Sequence, residues 1–506
     1  MFLSRHRKWW ILITLCLMIT LFNLDYTAIN LALANIAITL QVSLSTIQWI
    51  ITVYTMMSAT LTLLGGHCSD IFGFKRLFIV SVIGFGAASL FAGLANSGSE
   101  LIAARAFQGV AFAFFVPMGP ALIFSTFEGK QRNSAMGIYI GAVALAQSIG
   151  PSLGGIIIHW FSWRYIFFLN VPLCVVSLLL GVWAIPSQER RKESIDVVGL
   201  ILIAVSLLSI MYAFNEGHAW GIESVKFISL IVLGLLSLLG FVLVERKIKV
   251  PLADLSLFLK SFFTVPILIR SITAYGALAF LFVIGLLLQN ILGFTSIAAG
   301  VMLLANTLFV GIFSVMGGYL SSRFSGRLLL LIGLGFSVLG FSLLLMINAN
   351  VSLGFMLSAF ALVGAGVGIV LPITLNLTLG VVPTRKRGQA SGLLYTVVSI
   401  GVTLGPAVTG FIIGARGHAY LTNTLAKHNI ALSPSAYHLA TKVITGTDSV
   451  EHLKLVLSSK LQTLVIPLVQ EIFISSFKVA MLVCLILSIL ATIMVFLMSG
   501  SKNIVE

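Results

Sequence analysis

Charge is scarce in this chain. Asp, Glu, Lys and Arg together make up 9% of its 506 residues, against roughly 25% in a soluble domain. That scarcity excludes a soluble globular enzyme, a disordered tail and a nucleic-acid binder. Cysteine is also scarce: Cys16, Cys68, Cys174 and Cys484 stand alone, with no CxxC spacing. A disulfide framework is thereby excluded, and the four read as small apolar packing residues. There is no P-loop, so ATP is not the evident energy source. No His lies at the centre of an apolar run, and no cluster has metal-ligand spacing. The expectation is a non-enzyme without metal or cofactor.

What the chain does have is apolar sequence. Hydrophobic residues are 59% of it, Phe numbers 36 and Gly 46, and mean hydropathy is +1.10. A membrane-spanning helix needs roughly 20 mostly apolar residues, so this content allows some 13 to 15 spans. Fourteen segments stand out, near 10–34, 46–66, 77–95, 99–122, 134–158, 164–185, 196–215, 224–244, 262–289, 296–319, 327–347, 352–380, 388–414 and 475–499. Pro117, Pro151, Pro372 and Pro406 fall inside them, as membrane helices tolerate.

The net charge of +15 then reads as topology. With the N-terminus inside, 20 of the 30 basic residues fall on the cytoplasmic side. They run from Arg5, Arg7 and Lys8 through Lys75, Arg76, Lys130, Arg132, Arg190–Lys192, Arg246, Lys247, Lys249 and Lys260 to Arg323, Arg327, Arg385–Arg387 and Lys502. Most of the outer basic residues sit in one long loop, which weighs little in the positive-inside rule. Both termini are expected in the cytoplasm. Ala32-Leu33-Ala34 resembles a signal-peptide cleavage site, but the preceding run is too long and contains Asp25.

A repeat organises the spans. At an offset of 255, Gly109 meets Gly364, Pro117 meets Pro372, and Lys130 and Arg132 meet Arg385 and Arg387. Ala135 and Gly137 meet Ala390 and Gly392, and Gly150-Pro151 meets Gly405-Pro406. An offset of 252 pairs Gly65-Gly66 with Gly317-Gly318. Spans 4 and 5 thus map onto spans 12 and 13. The even offset of eight helices makes the copies parallel, with spans 7 and 8 left between them. The expected organisation is a six-helix half (1–187), a two-helix central insert with its flanking loops (188–260) and a second six-helix half (261–506). The second half carries a long extracytoplasmic loop, 415–474, with amphipathic helical stretches such as Ser449 to Glu471.

Four blocks carry a resemblance: Leu24-Asp25-Tyr26-Thr27-Ala28-Ile29-Asn30, Gly66 to Arg76, Arg105-Ala106-Phe107-Gln108-Gly109, and Gly150-Pro151-Ser152-Leu153-Gly154-Gly155. They resemble the fourteen-helix drug/proton antiporters of the major facilitator superfamily, the EmrB/QacA-like group. The resemblance implies an all-α polytopic fold of 14 transmembrane helices arranged 6+2+6, with a substrate cavity between the halves. It implies a gating loop at Gly66, Asp70, Gly73, Lys75 and Arg76, with Asp70 in a charge relay that latches the halves. Ile71 and Phe74 stand where the family usually has basic residues. The chemistry of that loop allows Asp70 to cap a turn or meet a helix N-terminus. It further implies an antiporter kink at Gly150, Pro151, Gly154 and Gly155. The echo at Gly405-Pro406 allows the kink to be fold architecture alone.

Asp25 is the one acid of 15 deep in a span, and Arg105 lies in span 4. Charge at such depth costs ~2.5–3.5 kcal/mol or more on insertion scales, so it pairs or serves a pathway. The repeat partner of Arg105 is Phe360, which argues against a purely architectural arginine. Asp25 is therefore expected to take up and release a proton under the control of Arg105; a permanent structural pair is the other reading. Asn23, Tyr26, Thr27 and Asn30 share one helix face, with Asp25 roughly opposite Asn23. These four, with Gln108, Arg270, Gln289, Asn306 and Asn376, are the cavity candidates, and helix–helix hydrogen bonding is the competing role for each amide. Arg270 either lines the cavity and attracts anions or snorkels to the interface. Trp49, Tyr54 and the Trp160–Trp163 region fit interfacial belts.

The resemblance implies export of lipophilic small molecules by alternating access, driven by protons, in the cytoplasmic (inner) membrane. The partners are then membrane lipids, a small lipophilic substrate and protons, with no nucleic acid. A periplasmic adaptor and outer-membrane channel would join it in a host with two membranes. The competing readings are an exporter dedicated to a metabolite, siderophore or lipid, an importer, and a sensor or scaffold that kept the fold.

Overall fold

A computed structural model describes residues 2–188, 195–221, 223–248, 250–348, 351–427, 432–444, 448 and 450–498. The first half comprises α1 (Phe2–Leu40), α2 (Leu44–Phe72), α3 (Phe74–Leu94), α4 (Gly98–Phe115), α5 (Met118–Thr126), α6 (Gly129–Trp160) and α7 (Arg164–Ala184). Then come α8 (Val197–Trp220) and α9 (Val225–Glu245). The rest comprises α10 (Ser261–Leu286), α11 (Ser296–Leu320), α12 (Gly326–Leu344), α13 (Leu353–Gly380), α14 (Arg387–Lys427), α15 (Pro434–Ile444), α16 (Val450–Val456) and α17 (Ser459–Phe496). Among the described residues, thirteen helical stretches are long and apolar enough to cross a membrane. α6, bent by 41° between Gly129–Gly150 and Ser152–Trp160, makes fourteen. The chain is thus an integral membrane protein.

Local chemistry sets the helix ends. Ser43, Ser97, Ser224, Thr295, Ser325 and Ser352 each accept a hydrogen bond from the backbone N–H three residues on, filling donors that a helix start leaves open. Gly73 joins α2 to α3 at φ +84°, a turn that a side chain would strain. Pro117 separates α4 from α5, whereas its repeat partner Pro372 is carried inside α13. Pro372 cannot donate to the carbonyl of Gly368, and Ser314 Oγ of α11 donates to that carbonyl at 3.1 Å instead.

The repeat reappears as packing. Gly109 of α4 sits on the backbone of Tyr54 in α2, and Gly364 of α13 sits on the backbone of Asn306 in α11. A Cβ at either glycine would lie 2.4 or 2.2 Å from a carbonyl oxygen. Small residues at such crossings are what allow helices to pack closely in lipid. The region 415–474 is largely helical among its described residues. α14 runs on to Lys427 and α17 begins at Ser459, so much of it is helix extending from the bundle. The stretch Ser449 to Glu471 splits at Leu457–Ser458 into α16 and the start of α17.

Basic residues collect on one face of the bundle. Arg7 donates to the carbonyl of Ala184, Lys8 to Gln131, Lys75 to the carbonyl of Val182 and Arg387 to the carbonyl of Phe124. Arg190, Arg191, Lys192, Lys249 and Lys502 lie outside the described residues. At this basic face the two groups of helices meet backbone to backbone. Gly66 of α2 abuts Gly388 and Gly392 of α14, and Gly137 of α6 abuts Ser314 and Gly318 of α11. Asn30 of α1 and Gln147 of α6, nearer the other face, are exposed. The bundle is shut at the basic face.

A Cβ at Gly66 would sit 2.4 Å from the carbonyl oxygen of Gly388, so Gly66→Leu should keep the halves from closing. Spin labels at Lys130 and Arg323 should then report a longer separation than in the unsubstituted protein. An unchanged distance would show that the seam tolerates the side chain.

Candidate functional site

Asp25 lies on α1, where it is the one charged residue between Trp9 and Leu40. Its carboxylate is fully buried and paired with Arg105 of α4, with Oδ2 2.5 Å from Nη1. Asn170 Nδ2 of α7 donates to Oδ1 at 2.7 Å, and Gln108 Nε2 of α4 approaches the same oxygen at 3.4 Å. Gln108 also accepts from Arg105 Nη1 at 2.8 Å and donates to Ser89 Oγ of α3 at 2.8 Å. Arg105 Nε donates to the carbonyl of Ile50 at 3.3 Å, and its guanidinium lies 4.4 Å over the ring of Tyr54, both on α2. One buried cluster therefore ties together α1, α2, α3, α4 and α7. Charge-assisted bonds in low dielectric are strong, and leaving one partner unpaired there is costly.

Around this cluster the other face of α1 is polar. Gln147 of α6 donates to Asn23 at 3.1 Å. Thr27 presses against Gly150, where a Cβ would collide with its hydroxyl, and Ala28 presses against Gly154. The glycines of the kink thus seat α6 directly on α1, next to the bend at Pro151. Tyr26 stacks on Tyr54 at 5.7 Å. Asn30 is exposed and bonds only weakly back to its own helix.

A second device lies at the basic face. Asp70, at the end of α2, accepts from the backbone N–H of Gly388 at 3.0 Å and of Gln389 at 2.8 Å. These are the first free donors of α14, so Asp70 caps a helix of the opposite half, where the helix dipole favours an anion. Gln389 in turn donates to the carbonyls of Pro251 and Leu252, and Lys386 pairs with Asp254 at 2.6 Å. Arg132 and Arg387, repeat partners, both stack on Phe124, at 4.1 and 4.6 Å. Lys75 reaches the end of α7, and Arg76 is exposed.

The family model for the Major Facilitator Superfamily matches residues 15–285 and 266–424. The chain belongs to that superfamily. Puromycin resistance protein pur8 of Streptomyces alboniger is 31% identical over 425 residues, covering 82% of this chain and 84% of that one. Multidrug resistance protein Stp of Mycobacterium tuberculosis is 30% identical over 407 residues, covering 80% and 75%. The solved structure of the proton:xylose symporter XylE shares the fold, with a TM-score of 0.60 at 13% identity over 94% of this chain and 95% of that one.

Within this major facilitator bundle, several cavity candidates lie elsewhere than expected. Gln108 is buried in the Asp25 cluster and faces no cavity. Asn306 donates to the carbonyl of Phe360 at 3.1 Å, a helix–helix bond inside the second half. Gln289 is exposed in a π-helical turn that follows α10. Asn376 is half-buried on α13, and neither amide atom has a hydrogen-bond partner. Arg270 is buried between α10, α13 and α14. Tyr54 is no belt residue: it is 2% exposed and covers Arg105. Trp163 is likewise buried, Trp49 packs on Tyr212 of α8, and Trp160 is exposed. Ser89 and Asn170 escaped the sequence reading, although Asn170 is an amide within an apolar span and carried the same signal as Gln108.

Two outcomes follow. Asp25→Leu strands a guanidinium that cannot lose its proton, whereas Arg105→Leu leaves a carboxyl that can gain one. Asp25→Leu should therefore cost ~3–5 kcal/mol and lower the thermal midpoint in detergent more than Arg105→Leu does; the reverse order would contradict the pairing. At the latch, burial raises the Asp254 carboxyl, but hydrogen bonds from Lys386 and Ser256 outweigh this and hold it below its ordinary 3.8. Such a tie is fully present above that pH and is lost as pH falls through the lowered value. Lys386→Met should thus shift the midpoint equally at neutral and mildly acidic pH, by less than about 1 kcal/mol because the lysine is half exposed.

Proposed function

We propose that this chain is a proton-coupled efflux transporter that expels lipophilic small molecules by alternating access. One observation carries the reading: the deepest acid is held by an arginine in a cluster that joins five helices. The other face of the same helix, α1, lies against α6 and the space between the halves. Support also comes from the two relatives above, which are named for resistance.

The moving bodies are 1–187 and 261–506, with 188–260 as the insert between them. The basic face is cytoplasmic, as are both termini, in the cytoplasmic membrane. The structure then stands closed to the cytoplasm. A proton arriving from outside neutralises Asp25 and weakens its hold on Arg105. Arg105 is then retained by Gln108, the Ile50 carbonyl and the Tyr54 ring, so α4 shifts relative to α1. That shift moves the Thr27–Gly150 and Ala28–Gly154 contacts, tilts α6, and frees Asp70 from the start of α14. The cytoplasmic side opens, substrate enters, and loss of the proton inward restores the pair. Asn23, Thr27, Asn30 and Gln147 supply the polar side of the path. A dedicated exporter of one metabolite, siderophore or lipid would use the same steps, whereas a scaffold would be indifferent to neutralising Asp25. Where the host has an outer membrane, a periplasmic adaptor would extend the path.

In proteoliposomes, an imposed proton gradient should drive lipophile movement by the unsubstituted protein. Asp25→Asn should lower that rate by about tenfold or more while the variant still inserts and folds. Undiminished gradient-driven transport in Asp25→Asn would sink the coupling role.

A further inference from the structure

Two arginines lie deep in the spans, and they are held differently. Arg105 has a carboxylate. Arg270 has none: it takes part in no ion pair among the described residues. Yet it is only 4% exposed. It stands nine residues into α10, about 13 Å along the helix from the basic face at 1.5 Å per residue. It does not snorkel, because its head is turned into protein. Nη1 donates to the carbonyl of Leu371 at 2.6 Å and to Thr374 Oγ1 at 3.4 Å, both on α13. The guanidinium lies 5.4 Å from the ring centre of Tyr395 on α14. Nε, although buried, has no partner.

The surroundings belong to the seam between the halves. Leu371, Tyr395 and Ala274 pack on one apolar cluster that contains Tyr139 and Ile140 of α6 as well as Leu394 and Val398 of α14. Tyr395 faces the guanidinium directly, and Tyr139 reaches the same cluster from the opposite half. The Tyr139 hydroxyl is buried with no hydrogen-bond partner. A fixed cation with an unused donor, an unused hydroxyl and aromatic walls thus sits where the two bodies separate. An unneutralised buried charge is expensive, and that cost is relieved by an incoming anion. A planar guanidinium matches a carboxylate in particular.

We propose that Arg270 is the anchor of a substrate subsite for lipophiles that carry one acidic group. The acid meets Arg270, with Thr374 and Tyr139 as further hydrogen-bonding groups, and the apolar body lies along Tyr395 and Leu371. Binding occurs in the state open at the basic face, when α6 parts from α11 and α13. This names the substrate class of the efflux reading and rests on it for direction of movement, though not for binding.

The test measures binding by fluorescence in nanodiscs, with a hydrophobic coumarin carboxylate and its methyl ester as probes. The unsubstituted protein should hold the carboxylate about tenfold tighter than the ester, as expected for a charge-assisted bond. Arg270→Gln should erase that preference while leaving ester affinity unchanged, and Arg270→Lys should keep part of it. Equal affinity of the unsubstituted protein for both probes overturns the proposal, whatever the variants do. Equal loss of both probes in a folded Arg270→Gln protein also overturns it and assigns the arginine to structure alone. Selective binding without proton-driven movement would leave the subsite standing and defeat the efflux reading. Proton-driven movement with no preference for the acid would do the opposite.

Discussion

The Asp25–Arg105 pair is the interaction on which the rest of the first half depends. Neither charge could stay in an apolar bundle alone, and water is too far to solvate them. The bundle therefore solvates them itself, with Gln108, Asn170, Ser89, the carbonyl of Ile50 and the ring of Tyr54. Because the pair and those groups together come from five helices, the state of one carboxyl is felt by all five. A proton on Asp25 changes the strongest of these contacts without removing the weaker ones, which is the condition for a shift rather than an unfolding. Among the described residues the second half has no such paired centre: Phe360 occupies the repeat position of Arg105, and Asn306 bonds its backbone.

The second constraint is closeness. The halves are held at one face by glycine-to-glycine contact and by Asp70 on the start of α14. Beside them the halves share an apolar cluster that includes Tyr139 and Ile140 of α6 and Leu394 and Val398 of α14, so parting the halves also uncovers hydrophobic surface. The linker joins in through Gln389 and the Lys386–Asp254 pair. The latch is thus wired to the insert as well as to the second half. Asp70 reaches backbone donors across the seam, so its role does not require the basic residues that the family usually places where Ile71 and Phe74 stand.

Much of this was legible before any coordinates. Long apolar runs and the positive-inside bias report directly on a membrane bundle, because lipid punishes every misplaced charge. The repeat was legible because Gly109 and Gly364 do the same job at equivalent crossings. Asp25 and Arg105 stood out for their cost. What could not be read was which face of each helix a polar residue takes. Tyr54 looked like a belt residue, yet it covers Arg105. Gln108 looked like a cavity amide, yet it braces the charge pair. A membrane helix is apolar all round, so periodicity gives little hint of its inner face. Helical spacing marks the stretch Ser449–Glu471 in the sequence, but it does not show that α17 runs from Ser459 into the last span.

The central claim is that Asp25 changes protonation as the halves alternate. Infrared difference spectroscopy of the purified protein in lipid, on adding substrate or changing pH, reads carboxyl protonation directly. A carboxylic-acid carbonyl band should rise as the basic face opens and be missing in Asp25→Asn. A carboxylate that stays ionised through both states, with the same spectrum in that variant, would contradict it.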